Sequence, residues 1–404
     1  MENISILDQI INYQKAEEVA NLDAVEIINN LFNELSEREK DVLMRRYGLN
    51  NGSKETLEGI GSVHHLTRER IRQIETVSIK KLQQLKNLDN YVKNLKRIIY
   101  QLLEEHGGLM EKNYLLDILA SFSSNGFKTD QQIQAKHKNY LNFLITKLLH
   151  SEFEEILNSK YFLESYKLKF QELAHLEELV EELLEKISEI KKILATNEII
   201  DLIINLASYR QHEEKLATKN TLDIANVLKF ELFEENPELI NKNKTLYTIL
   251  RAAKKIEQNK FGYWGVFNWR EIKPKTINDK IYLVLKHSNE PLHFEQIADQ
   301  INKIGFDGKK ANAATVHNEL ILDDKYVLVG RGLYGLKEWG FRKGTVADVI
   351  EEIFKEADNR ALTRDEIIDQ VMKKRFVKKA TIILALMNRD KFSKADGKYQ
   401  LVIT

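Results

Sequence analysis

The sequence predicts a mainly α chain, with an N-terminal helix-turn-helix followed by tandem winged-helix-like units that carry small β-hairpin wings. Three observations lead there. The stretch Thr56 to Leu85 holds two helical apolar patterns separated by a short break. The C-terminal third repeats itself, unit against unit. Only three prolines occur, Pro237, Pro274 and Pro291, so long helices are little interrupted.

Composition narrows the rest. The length of 404 residues suggests two to four domains, and a hydrophobic content of 43% is enough for packed cores. Sixty-one basic and 61 acidic residues cancel, so neither global disorder nor a wholly basic surface is indicated. DNA binding is not excluded, because the relevant field is local. Ser36 to Lys86 carries 11 Lys/Arg against 7 Asp/Glu, while Met1 to Leu35 carries one Lys and 7 acids. Cysteine is absent, which rules out disulfides, thiolate metal sites and a cysteine nucleophile. With no signal peptide and no bilayer-length apolar run, the expectation is a cytoplasmic protein without membrane contact.

Residues 1–34 read as an N-terminal helical segment, with Ile6, Ile10, Ile27, Ile28 and Leu31 on apolar faces. Residues 35–87 form the helix-turn-helix. Ser36 with Glu39 fits a capping box, Gly48 suits a helix stop, and Asn50-Asn51-Gly52-Ser53 is a turn. Leu57, Ile60 and Val63 are expected to face inward, and His64-His65-Leu66 breaks the helix. Thr67 is placed to cap the second helix, since its hydroxyl can satisfy an orphan amide. At roughly 100° per residue, Ile71, Ile74, Leu82 and Leu85 gather on one side. Arg68, Glu69, Arg72, Gln73 and Thr76 gather on the other. Arg can pair with guanine, Gln with adenine, and Glu can accept from cytosine N4. A recognition helix brings such groups to the major groove, with Lys80, Lys81 and Lys86 near phosphate. A solvated charged face fits the same spacing.

The wording of the segment goes further. Leu57-Glu58 and the run Leu66-Thr67-Arg68-Glu69-Arg70-Ile71-Arg72-Gln73-Ile74-Glu75 resemble region 4.2 of sigma-70 family transcription initiation factors. Leu35-Ser36-Glu37-Arg38-Glu39 through Arg45-Arg46-Tyr47-Gly48-Leu49 resembles region 4.1. The resemblance implies recognition of a promoter −35 element in double-stranded DNA. It also implies docking on bacterial RNA polymerase at the β-subunit flap. By position, Arg68, Glu69, Arg72 and Gln73 inherit base reading. Gly59, Ser62, His64 and His65 depart from the family pattern. No counterpart of the aromatic-rich region 2 is visible, so a complete sigma factor is not expected.

Residues 88–169 read as a winged-helix-like unit: helices near Leu95–Glu105, Tyr114–Ala120 and Tyr140–Leu149, then a hairpin around Asn158-Ser159-Lys160. Residues 170–194 read as an acidic connector helix, with Glu177, Glu178, Glu181, Glu182 and Glu185. Residues 195–272 read as a second such unit. Thr196 is expected to cap its first helix, Leu246–Ile256 to be its third, and Phe261–Trp269 to be its hairpin. Residues 273–341 and 342–404 are the repeated pair. Pro291-Leu292-His293-Phe294-Glu295-Gln296-Ile297 aligns with Ala361-Leu362-Thr363-Arg364-Asp365-Glu366-Ile367. Ala314-Thr315-Val316 aligns with Ala380-Thr381-Ile382, and Asp324-Lys325-Tyr326 with Asp390-Lys391-Phe392. Through Pro291-Leu292-His293-Phe294-Glu295 and Gly335-Leu336-Lys337-Glu338-Trp339 the first of the pair resembles the HARE-type winged helix. The same module forms the ordered domain of the RNA polymerase delta subunit. Lys309, Lys310, Asn312, Thr315 and Asn318 around its third helix, with Arg331 on the wing, are secondary candidates for holding a DNA backbone.

No catalytic, cofactor or metal site is expected. Gly330-Arg331-Gly332-Leu333-Tyr334-Gly335 fits G-x-G-x-x-G, but strand continues after it where a dinucleotide site needs a helix. His64-His65 lacks a third ligand at workable spacing. Asp201 with Glu213 and Lys215 loosely resembles a nuclease constellation, yet no strand pattern surrounds it. The expected role is a DNA-binding protein of transcription initiation. Two alternatives stay open: a delta-like polymerase subunit that reads no sequence, and a restriction- or nuclease-associated DNA-binding protein.

Overall fold

A computed structural model describes residues 23–50, 52–123, 131–218, 222–228, 230–341, 344–375, 377–395 and 397–402. Ile6 and Ile10 of the expected N-terminal segment lie outside these. The chain divides into two compact units, residues up to 258 with 262–267, and 259–261 with 268–404. Each is described by itself. No helix among the described residues is long and apolar enough to cross a membrane.

The first unit opens with α1 (Ala24–Phe32), whose N-terminal amides donate to the Asp23 carboxylate. Helix α2 (Glu37–Tyr47) starts at a reciprocal Ser36–Glu39 capping box and stops at Gly48, where φ is 64°. Helices α3 (Leu57–His64) and α4 (Arg68–Gln83) follow, joined through His65, whose φ of 54° is left-handed. Val42, Ile60 and Ile71 form their buried core, with Leu57, Leu66 and Ile74 packed against it. Val63 does not join them and is 50% exposed. The close approach to the turn is made instead at buried Gly61. A methyl group on Gly61 would lie 2.6 Å from the Leu66 carbonyl oxygen. Gly61→Ala should therefore destabilise the module by about 1–3 kcal/mol through overpacking. Amide exchange across residues 57–83 would read this, with the exposed Ser62→Ala near neutral.

A winged-helix topology comes next: α5 (Leu88–Glu105), β1 (Leu109–Glu111), α6 (Lys112–Ser123), α7 (Gln131–Phe143), β2 (Phe153–Ile156) and β3 (Ser165–Leu168). Helix α7 runs on into a π-helical turn, Leu144–Leu148. The antiparallel sheet has the order β1-β3-β2, and Gly107 and Gly108 turn the chain into β1 with positive φ. The third helix of this unit is not free. The Phe143 ring meets Tyr47 at 4.9 Å and Phe32 at 6.0 Å, both edge to face. The Asn139 amide donates to the carbonyls of Gly48 and Gly52, at 3.1 and 2.9 Å. Gln83 of α4 donates to the Lys147 carbonyl at 2.7 Å. The winged helix thus seats the helix-turn-helix.

Helix α8 (Ala174–Ile190) lies within the segment read as an acidic connector, and it carries a buried apolar stripe beside its acids. Leu176, Leu179, Val180, Leu183 and Ile187 recur at helical spacing and are buried. Their acidic neighbours occupy the other side, except that Glu182 accepts the Ala207 and Ser208 amides. Leu194 then bridges Trp264, and α9 (Thr196–Ile204) begins. Thr196 is not its cap; that place falls to Ala195, and the Thr196 hydroxyl bonds the Glu235 carboxylate and the Trp264 indole instead. Short helices α10 (Ala207–Gln211), α11 (Glu213–Leu216) and α12 (Pro237–Lys242) precede α13 (Lys244–Ala252). The hairpin pairs β4 (Ile256–Gln258) with β5 (Trp264–Val266), earlier than the expected 261–269. The aromatic run supplies its turn and second strand, because Trp264 must reach the core, where it is 1% exposed.

The second unit repeats one topology. Its first copy is α14 (Ile277–Ser288), β6 (Leu292–His293), α15 (Phe294–Ile304), α16 (Ala313–Leu322), β7 (Tyr326–Gly330) and β8 (Leu333–Leu336). The next is α17 (Val346–Glu356), β9 (Leu362–Thr363), α18 (Arg364–Lys374), α19 (Lys379–Leu386), β10 (Phe392–Ala395) and β11 (Lys398–Leu401). Both sheets set the last strand between the other two. Each copy has its own core, centred on Ile281, Ile297 and Val316 in one and Ile350, Ile367 and Ile382 in the other. The glycine-rich Gly330–Gly335 stretch turns the first hairpin and continues as β8, not as a helix.

Candidate nucleic-acid interface

Helix α4 is built outward from its cap. The Thr67 hydroxyl accepts the Arg70 amide at 3.2 Å, which fixes where the helix starts. Ile71, Ser78 and Leu82 bury one side. Thr67, Arg68, Glu69, Arg72, Gln73, Thr76, Lys80 and Lys81 are all exposed. From Arg68 through Lys80 the helical members of this set fall within an arc of about 140°. Lys81 falls outside it and pairs with Glu39 of α2 at 2.5 Å. Burial disfavours the Glu39 charge, but Lys81 and the Ser36 hydrogen bonds outweigh that and hold its pKa below the usual value.

The exposed residues of α4 hold one another. Arg72 grips the Glu69 carboxylate with two guanidinium hydrogens, at 2.8 and 2.7 Å. That hydrogen bonding keeps the Glu69 carboxyl below the ordinary range. Arg70 donates to the Gln73 side-chain oxygen at 3.1 Å, and the Thr76 hydroxyl donates to the Arg72 carbonyl at 2.9 Å. Both side chains are well exposed and water screens the pair, so opening it toward a ligand is inexpensive.

Orientation comes from a clamp that the sequence did not reveal. The Tyr47 hydroxyl donates to Glu75 at 2.6 Å, and Arg46 lies 3.5 Å from the same carboxylate oxygen. Burial first, and the Glu75 carboxylate second, push the Tyr47 hydroxyl pKa upward. Glu75 is half-buried, and nothing local in the sequence signals its partners on α2. His64 likewise has a local partner, Asp41 at 2.8 Å, and Asp41 also accepts from Arg45.

The secondary candidates gather at the start of α16. Lys309, Lys310, Asn312, Thr315 and Asn318 are exposed, and Arg331 is exposed at the hairpin turn. Asn312 is also the N-cap, accepting the Ala314 amide at 2.8 Å. Farther along, Ile321 and Leu322 are 61% and 79% exposed, so this face is only partly polar. Asp201 lies on α9, and Glu213 and Lys215 on α11, all exposed.

A capped helix with an exposed Arg/Glu/Gln arc, anchored on a short preceding helix, defines a helix-turn-helix module. Residues 31–84 match the family model for Sigma-70, region 4. The chain is 52% identical over 58 residues to RNA polymerase sigma factor SigA of Microcystis aeruginosa, which covers 14% of each protein. It is 50% identical over 58 residues to SigA of Nostoc sp., covering 14% of this chain and 15% of that protein. Against SigA of Bacillus sp. the identity is 41% over 86 residues, 20% of this chain and 23% of that protein. The chain therefore spans less than a quarter of the length of these curated relatives. No solved structure matches it.

Proposed function

We propose that this chain is a DNA-binding protein of transcription initiation, in which α4 reads a −35-like promoter element. The observation that carries this is the exposed arc of Arg68, Glu69, Arg72 and Gln73, capped by Thr67, inside the region-4 match. Arg68, Arg72, Glu69 and Gln73 supply donors and acceptors for base edges, and Lys80 neutralises phosphate. The mechanism is binding without catalysis, in the cytoplasm, with no cofactor. Bacterial RNA polymerase is the second partner, through the β-subunit flap, because the relatives of this module are named as polymerase sigma factors. The winged-helix units add further contacts, and the HARE-type, delta-like character of residues 273–341 fits a polymerase-associated role. Tethering modest binders raises avidity through effective concentration.

Selection of bound duplexes by the full chain, with and without core polymerase, tests the reading at defined salt. Enrichment of one short motif is expected. Lys80→Ala should weaken all duplexes alike and lower the salt slope by about one. Recovery of unenriched DNA in both arms would reject sequence reading. A delta-like subunit that docks without reading is favoured by one observation: the third helix of the first winged helix faces protein, through Phe143 and Asn139. Polymerase binding without motif enrichment would select it.

A further inference from the structure

The two C-terminal copies share a fold but not a surface. Their third helices, α16 and α19, align through Ala314-Thr315-Val316 and Ala380-Thr381-Ile382. In both, the buried positions are equivalent: Val316 and Leu320 in one, Ile382 and Leu386 in the other. The outward face differs. Where α16 has Asn318, α19 has Leu384, which is 69% exposed. Three residues on, Met387 is 65% exposed and α16 has Ile321, 61% exposed, so the two faces differ at the middle of the strip and not at its end. At about 100° per residue, Ala380, Leu384 and Met387 lie within about 60° of one another, opposite the buried side. This is an i, i+4, i+7 strip of the kind that receives an amphipathic helix.

Charge separates the copies too. Residues 306–336 carry 4 Lys/Arg and 4 Asp/Glu, whereas the aligned window 372–402 carries 9 Lys/Arg and 2 Asp. Lys373, Lys378, Lys379 and Arg389 are exposed and form no ion pair among the described residues. A base-reading face needs donors and acceptors at its centre. Here the centre is leucine and methionine, in a copy whose sequence carries a large excess of cations.

We propose that the outward face of α19 is a protein-docking site for an amphipathic helical segment with an apolar stripe and acidic borders. Leu384 and Met387 meet the apolar stripe, and the excess of exposed cations in this copy, Lys378, Lys379 and Arg389 among them, favours acidic flanks. The equivalent face of α16 keeps an exposed Ile321 but has Asn318 at its centre and balanced charge around it, so it binds this ligand more weakly. The proposal stands apart from the reading by α4.

The test titrates the full chain into a fluorescein-labelled synthetic helix with leucines along one face and glutamates on both borders. A second peptide carries lysines in place of the glutamates, and a third carries serines in place of the leucines. The glutamate peptide should bind, and both control peptides should bind about tenfold more weakly or worse. Leu384→Asp with Met387→Asp should weaken the glutamate peptide by about tenfold. Leu384→Asn, which copies the residue that α16 tolerates at the same place, should also weaken it while keeping the helical circular dichroism. Failure of the glutamate peptide to bind, or binding unchanged by these substitutions, would overturn the proposal. So would self-association of the chain that the substitutions abolish, or loss of duplex binding with peptide binding intact.

Discussion

Arg72→Ala in the full chain should lower discrimination at one base pair by about 1–3 kcal/mol, while binding to unrelated duplex changes little. The expectation rests on position. Arg72 is exposed on the same arc as Arg68, and its fork already shows bidentate geometry against Glu69. A guanine edge offers the same two-acceptor pattern as that carboxylate. Glu69→Gln should act differently, because it frees the Arg72 fork and removes an acceptor; specificity should shift rather than vanish. Titration of a selected duplex and its single-base variants at fixed salt would read both. Equal strength and equal preference after Arg72→Ala would remove base reading from α4.

Lys244→Met should destabilise the first compact unit by about 3–5 kcal/mol, because it leaves a buried carboxylate without its cation. Lys244 and Glu105 are 1% and 4% exposed at their side chains and sit 3.3 Å apart. Lys244 also donates to the Leu222 carbonyl. Glu105 accepts the Leu222 amide at 3.1 Å and the Gln101 side chain at 2.8 Å. The pair therefore ties α5, α13 and the Leu222 segment together. Burial also pushes neighbouring His106 down to about 3, and the Lys244 charge adds to this, so the imidazole is neutral near pH 7. Adding Glu105→Gln to Lys244→Met should recover part of the loss, since glutamine still accepts from Leu222 without bringing a charge. Urea midpoints of the two variants would show the recovery; a double variant no better than the single one would mean that the charge is not the cause.

The helix-turn-helix was legible because its signals are local. Ser36 with Glu39, Gly48, Thr67 and the Ile71–Leu82 spacing each fix structure within a few residues. The C-terminal copies were legible because each confirms the other. Val63 was misread because periodicity ranks it with Ile60, whereas the decisive contact is the missing side chain of Gly61. In α8 the glutamates drew the reading away from Leu176, Leu179, Val180, Leu183 and Ile187, whose spacing already described a buried stripe. Thr196 looked like a cap by residue type, but its hydroxyl answers a distant indole. The Tyr47–Glu75 clamp and the seat of Phe143 are long-range, and nothing in the local sequence announces them.

The Phe143 seat bears on how the chain can be dissected. A fragment ending at residue 84 would keep every exposed side chain of the α4 arc, yet it would strip the cover from Phe32 and Tyr47 and remove the Asn139 donor from the Gly48 and Gly52 carbonyls. Such a peptide should stick to itself and read DNA poorly for reasons unrelated to its recognition chemistry. The smallest piece that behaves as the parent does should run past α13, because Lys244 answers the buried Glu105 of α5.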